Sequence, residues 1–300
     1  MGNFLQKQGH QLLTNQYYAY FLVIALAFLP FFSWLSLSVI ALVTLRKGSN
    51  EGFKILVAGV SAAVLAAGLH SLLPYEGVAI LATFSLGFGA AVVLRNVPDW
   101  KVLVSVVIGI VLLMIALIHM FLPGQITEQF QVMLALFRTV AKGESMVRML
   151  DTQTDANQQL LANYLLGVQV CSIVITALVS LALARQIQSA LFYPGGFRKE
   201  LLAFRATRFG AVMLFVTAYG AWQHYPIAVS CLPILVVYLM SAGMILFFNV
   251  ISRKRDLLTI ALLFVPLVLA PYVMLPVYVL FGSLDSLFNF RLRLPLKVSE

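Results

Sequence analysis

Charge is scarce in this 300-residue chain. Asp, Glu, Lys and Arg make up 10% of it, against 61% hydrophobic residues. Soluble domains carry about a quarter charged residues, so a globule with a water-facing surface is excluded. A bilayer accommodates such a chain, because a span needs about 20 mostly apolar residues. The apolar blocks are continuous rather than alternating, which selects helices over a barrel. The expected fold class is all-α: a polytopic transmembrane helix bundle of about eight to ten helices, several of them short.

Cysteine is nearly absent. Cys171 and Cys231 both lie inside apolar blocks and read as small core residues, not as a disulfide or a metal pair. There is no GxxxxGK[ST] phosphate loop, no HExxH, no GxSxG and no CxxC. No catalytic residue, metal set or cofactor is assigned, and an enzyme is the less expected class. No internal repeat is visible, so an inverted-repeat transporter plan lacks support. No cleavable signal peptide is expected either. The first apolar block starts near Tyr17 after a polar stretch with a single lysine, and it serves as the insertion signal. Acids are missing from the apolar blocks except for Asp285. It reads as a partner for Arg291 or Arg253, with a coupling carboxylate as the alternative.

What is present is a regular alternation of apolar blocks and cationic gaps. The block 17–45 is divided by Pro30 and reads as one tilted helix or two short ones, the hairpin turning near Pro30 being favoured by the charge sorting below. Blocks 55–73, 77–94 and 102–122 follow. The segment 125–157 is the only long polar one, with a net charge of −1. In it Phe130, Met133, Leu134, Phe137 and Val140 recur at three- and four-residue steps, which predicts an amphipathic helix on the membrane surface or over the bundle. Block 160–184 is read as ending at Arg185, and 185–208 as a basic loop. Blocks 209–222, 227–251 and 257–290 complete the chain. The last holds Pro266, Pro271 and Pro276 and is read as a second hairpin turning near Pro271.

With that layout, the cations sort by side. Lys7, Arg46, Lys47, Lys54, Arg95, Lys101, Arg185, Arg198, Lys199, Arg205, Arg208, Arg253, Lys254, Arg255, Arg291, Arg293 and Lys297 share one face; Arg138, Lys142 and Arg148 lie on the other, all in the long segment. The positive-inside bias then predicts both termini in the cytoplasm, a single integral membrane domain over 1–300, an extracytoplasmic 125–157 and a cytoplasmic 185–208. The net charge of +9 is scattered between spans. It therefore points to the lipid bilayer as partner and not to nucleic acid.

Two groups of residues are candidates for binding. His70, Glu76, His119 and His224 fall at predicted outer ends of spans and form a candidate polar rim for a substrate pocket. No HxxxH or HxH pair supports a metal. Arg198, Lys199, Arg205 and Arg208 form the densest basic cluster, a candidate dock for anionic lipid or a protein partner. Spacings of three and seven would align Arg198, Arg205 and Arg208 on one helical face. Asn163, Gln169 and Asn249 are lone polar residues in or near spans, read as interhelical hydrogen bonds, with a ligand contact by one of them as the alternative. Gly59, Ala63 and Ala67, with Gly87, Gly89 and Ala90, suggest close helix packing.

A proline-split opening block is followed by the basic turn Leu45-Arg46-Lys47-Gly48 to Gly52-Phe53-Lys54. A long outer segment then precedes a span leading into Gly196-Phe197-Arg198 and Phe204-Arg205. This layout resembles the YybS-like family of bacterial integral membrane proteins, itself distantly similar to the S components of energy-coupling-factor transporters. The resemblance implies a multi-pass protein of the bacterial inner membrane that binds a small molecule for transport, with a separate transport module or another membrane protein as partner. The Ala-xxx-Ala docking step of S components is interrupted here, as Ala19, Val23 and Ala27. Two other expectations stand beside it: a membrane enzyme or carrier for lipid-linked phosphates, from the arginine cluster, and a non-catalytic assembly subunit, from the small-residue faces.

Overall fold

The computed structural model describes residues 9–29, 31–70, 76–140, 155–251, 261, 265, 266 and 268–290. The described residues are almost wholly helical, with no strand among them. We number the helices α1 Gln16–Phe28, α2 Ser33–Lys47, α3 Ser49–His70, α4 Glu76–Asn96, α5 Trp100–Phe121, α6 Pro123–Val140, α7 Asp155–Phe192, α8 Gly196–Ala203, α9 Arg208–Trp222, α10 Pro226–Ile251 and α11 Pro271–Phe288. Six of them are long and apolar enough to cross a membrane. The chain is a multi-pass, all-α membrane protein. Its exposed Leu65, Leu69, Leu113 and Phe215 suit hydrocarbon as solvent.

Residues divide into two compact units, 1–107 with 172–203 and 108–171 with 204–300. In the first unit, α2 is enclosed by α1, α3 and α4. Every residue from Ser36 to Leu45 is buried, as suits a helix that is apolar on all sides. Its hydroxyls are satisfied without water. Ser36 donates to the Val23 carbonyl at 2.9 Å and Thr44 to the Ile40 carbonyl at 2.8 Å. The Ser180 hydroxyl of α7 donates to the Trp34 carbonyl at 2.8 Å. Neighbours approach α2 closely where they lack a side chain. A Cβ on Gly87 would meet Leu37 Cδ2 at 2.7 Å.

The opening block is a pair of short helices, as Pro30 implies. They hold 13 and 15 residues, or about 20 Å each at 1.5 Å per residue. Pro30 itself lies outside the described residues. Ala19, Val23 and Ala27 are all buried within this unit, so the stripe is consumed by packing inside the chain. At the other end of the sequence, α11 begins at Pro271. Most of the arm before it, with Arg253, Lys254 and Arg255, lies outside the described residues.

Helix α7 departs from the expected end at Arg185. It continues to Phe192 and totals 38 residues. The guanidinium does not stop the helix because it is bonded within the fold: Nε and Nη2 donate to Glu200 at 3.0 and 2.6 Å, and Nη1 to Gln188 at 2.8 Å. The stretch 185–208 is therefore mostly helix, broken by the turn at Pro194-Gly195 and by the connector 204–207.

In the second unit α10 and α11 cross at glycines. A Cβ on Gly243 would strike the Tyr278 carbonyl oxygen, and one on Gly282 the Leu239 carbonyl oxygen. Helix α9 packs against both. Helix α6 is amphipathic as its spacing predicts. Ile126, Phe130 and Leu134 are buried, packed with Ala162, Leu161, Leu165 and Leu166 of α7 and Ile118 of α5. The side chains of Phe137 and Val140 lie outside the described set.

Candidate functional site

The second unit holds a cavity of about 240 Å³ where the C-terminal end of α5, the start of α6, the start of α7 and the start of α10 converge. His119, Thr127, Gln159 and Asn163 supply polar groups; Pro123, Ile126, Ala162, Pro226 and Ile227 supply the apolar walls. No charged side chain lines it among the described residues. Ligand pockets for drug-sized molecules run to about 300–1,000 Å³, so this space suits a smaller solute.

His119 is fixed at the back of the cavity by three contacts. Its Nδ1 lies 2.9 Å from the Ile115 carbonyl oxygen, one turn earlier in α5. Its Nε2 lies 3.2 Å from Asn163 Oδ1 and 3.3 Å from Ser230 Oγ. The Ser230 hydroxyl donates to the Asn163 carbonyl oxygen at 2.8 Å. That proton is thereby committed, and Nε2 faces oxygens. Two arrangements satisfy all the groups. Either the ring is protonated and donates from both nitrogens, or it donates only from Nδ1 and the Asn163 amide turns its NH₂ toward Nε2. Ser230 is fully buried, and its contacts tie α5, α7 and α10 together behind the cavity.

The loss of the side chain at Gly167 and the proline at 233 make this convergence tight. Gly167 packs directly on the Ser230 carbonyl and on the Pro233 ring. Pro233 lacks the N–H of a normal helix residue and loosens α10 there. A second polar tie, Gln129 Nε2 to Gln169 Oε1 at 2.8 Å, pins α6 to α7.

Of the three rim residues whose side chains are described, His119 alone lines the cavity. His224 is exposed in the turn before α10 with φ 59°. Glu76 is exposed at the first residue of α4, where a carboxylate complements the helix dipole. It belongs to the first unit, as does His70, which ends α3; the His70 side chain lies outside the described residues. Among the described residues, no group of three or more His, Cys, Asp or Glu side chains stands together.

The basic cluster does not share one helical face. Arg198 and Lys199 are exposed on α8, Arg205 sits half-buried in the connector, and Arg208 is the exposed first residue of α9. The helix is interrupted because Thr207 is spent on other bonds. Its backbone N–H donates to Tyr238 Oη at 2.9 Å, and its hydroxyl caps α9 by accepting from the Gly210 N–H at 3.3 Å. Nη1 of Arg205 is buried without a hydrogen-bond partner.

Asn163 and Gln169 form the interhelical bonds that the sequence predicts, whereas nothing in the sequence singles out Ser230, Thr127 or Gln159. Ser230 is one more serine in an apolar span, and its partner histidine is 111 residues away. No family model, curated protein or solved structure matches this chain.

Proposed function

We propose that this protein is a transport-related, substrate-binding integral membrane protein, with the cavity around His119 as its small-molecule site. The observation that carries the reading is the lining: four hydrogen-bonding side chains and five apolar ones, with no charge among the described residues. Such a lining holds a small, neutral solute by a few oriented hydrogen bonds against apolar walls. Helix α6 forms one wall through Ile126 and Thr127, and it roofs the cavity from the extracytoplasmic side in this reading. The layout resemblance to the YybS-like family, with its distant S-component kinship, supports the same assignment and a bacterial inner-membrane location. Docking on a transport module through the Ala19, Val23 and Ala27 stripe has no surface to use, since those residues are buried.

The test is thermal unfolding of the purified protein in mild detergent against a panel of neutral amides, nucleobases and heterocycles. A concentration-dependent rise in Tm that disappears in His119→Leu and in Asn163→Leu supports the proposal. No stabilisation across the panel, with the wild type folded, rejects it.

A further inference from the structure

One end of the first unit carries cations that its acids do not balance. Helix α2 ends there, and so do α4 and α7, while α3 and α5 begin there; three side-chain contacts tie them together. Arg95 Nη1 of α4 donates to the Thr44 carbonyl of α2 at 3.0 Å. The Arg46 guanidinium of α2 lies 3.4 Å over the Phe192 ring of α7. Trp100, which opens α5, packs edge-on to Phe197 at 6.0 Å.

Three carboxylates at this end are already engaged. Glu51 is bonded to Lys54 at 2.7 Å and to Gln16 at 2.9 Å. Glu200 takes the Arg185 fork and the Trp100 indole N–H at 3.2 Å. Asp99 accepts from the Lys101 backbone N–H at 2.8 Å. Arg46, Lys47, Arg95, Arg198 and Lys199 are all exposed, and none forms an ion pair among the described residues, although Lys47 also stands in the field of the Glu51 carboxylate.

Two of these guanidiniums are held in place while most of their donors stay free. Arg46 is fixed by its ring contact and, among the described residues, spends no N–H on the protein, while Arg95 spends one. A planar guanidinium anchored in this way is prepared for bidentate binding of phosphate. Lys47 stands beside Arg46 and adds a third cation. Exposed apolar side chains lie at the same end: Phe53 (55% exposed), Val97 (43%) and Tyr193 (67%). The span Ser49–Leu69 begins here and the span Glu76–Asn96 finishes here. Cations at the span termini with apolar groups beside them match the level where headgroup phosphate meets acyl chain.

We propose that Arg46, Lys47 and Arg95 bind the phosphodiester headgroup of an acidic phospholipid, with its acyl chains against the exposed apolar residues of this end. The inference is independent of the cavity in the second unit. A free phosphate would use the guanidiniums but not the apolar flank, and an acidic polypeptide would likewise leave Phe53 and Val97 unused.

The experiment is native mass spectrometry of the full chain in mild detergent with dioleoylphosphatidylglycerol or dioleoylphosphatidylcholine, lipids of identical acyl chains. Preferential retention of one or two phosphatidylglycerol molecules is expected. Arg46→Gln with Lys47→Gln should lower the phosphatidylglycerol-to-phosphatidylcholine ratio by about fivefold or more per cation removed, and by more than Lys54→Gln, whose ammonium is already paired with Glu51. Arg46→Lys keeps the charge and loses the fork; it should retain an intermediate preference, and it serves if the double variant does not fold. Equal retention of the two lipids, or an undiminished preference in the variants, overturns the proposal. So does displacement of the phosphatidylglycerol by millimolar inorganic phosphate or by polyglutamate, which would assign the surface to a soluble anion or an acidic protein.

Discussion

Gly243 and Gly282 rest on each other's helix. Each α-carbon faces a carbonyl oxygen of the opposite helix, Tyr278 for the first and Leu239 for the second. A methyl at either position would collide with backbone, which cannot rotate aside. Gly282→Leu is therefore expected to destabilise the protein by about 3 kcal/mol, at the upper end of overpacking costs. Its Tm in detergent should fall well below that of Gly89→Leu, where nothing lies within 4 Å of an added Cβ.

The ion pair between Arg185 and Glu200 gives a second expectation. Both side chains are mostly covered, at 18% and 27% exposure, so stripping one charge leaves the other poorly solvated. Glu200→Gln should cost about 1–3 kcal/mol. The double variant Arg185→Gln with Glu200→Gln should recover part of it. A double-mutant cycle measures the coupling, and strictly additive single effects would refute the pairing.

Packing of α6 depends on one aromatic. Phe130→Ala removes the centre of the Ile126, Phe130 and Leu134 stripe and should cost about 3 kcal/mol. Because α6 is held by this cluster and by the Gln129–Gln169 bond, the loss is expected to be local: faster proteolysis within α6, with the first unit intact. Cleavage rates before and after the substitution, mapped by mass spectrometry, report it.

Ser230→Ala tests the network behind the cavity. It deprives the Asn163 carbonyl of its donor and His119 of one neighbour, at an expected cost of about 1 kcal/mol. Asn163→Leu should cost more, since His119 Nε2 then faces no amide. The order of the two Tm values is the readout, and the reverse order would contradict the assigned bonds.

The cation count predicts that reporters fused at Lys47, Lys199 and Lys254 all read as cytoplasmic. Paired alkaline phosphatase and fluorescent-protein fusions at those positions check it.

Much of the architecture was legible before any coordinates. A proline in mid-block announced the α1–α2 pair, and apolar steps of four announced the buried face of α6. These signals are local, carried by neighbours in sequence. The course of α7 was not legible, because what lets Arg185 stay inside a helix is a carboxylate 15 residues on. Nor was the broken basic cluster, since Tyr238 draws Thr207 out of helical register from 31 residues away. The cavity suffered most. His119 stood out by residue type, whereas Gln159 and Thr127 become significant only once α5, α6, α7 and α10 meet.

Helix α2 has no face left for lipid, and at 15 residues it is too brief to cross about 30 Å of hydrocarbon unaided. A nascent chain released after α2 would lack the α3 and α4 surfaces that bury residues 36–45. Membrane integration of this protein must therefore be a group event, with α1 and α2 retained at the insertion site until α3 and α4 emerge to enclose them. Ribosome-stalled nascent chains ending before Ser49 should stay extractable by alkali, and those extending past Asn96 should not.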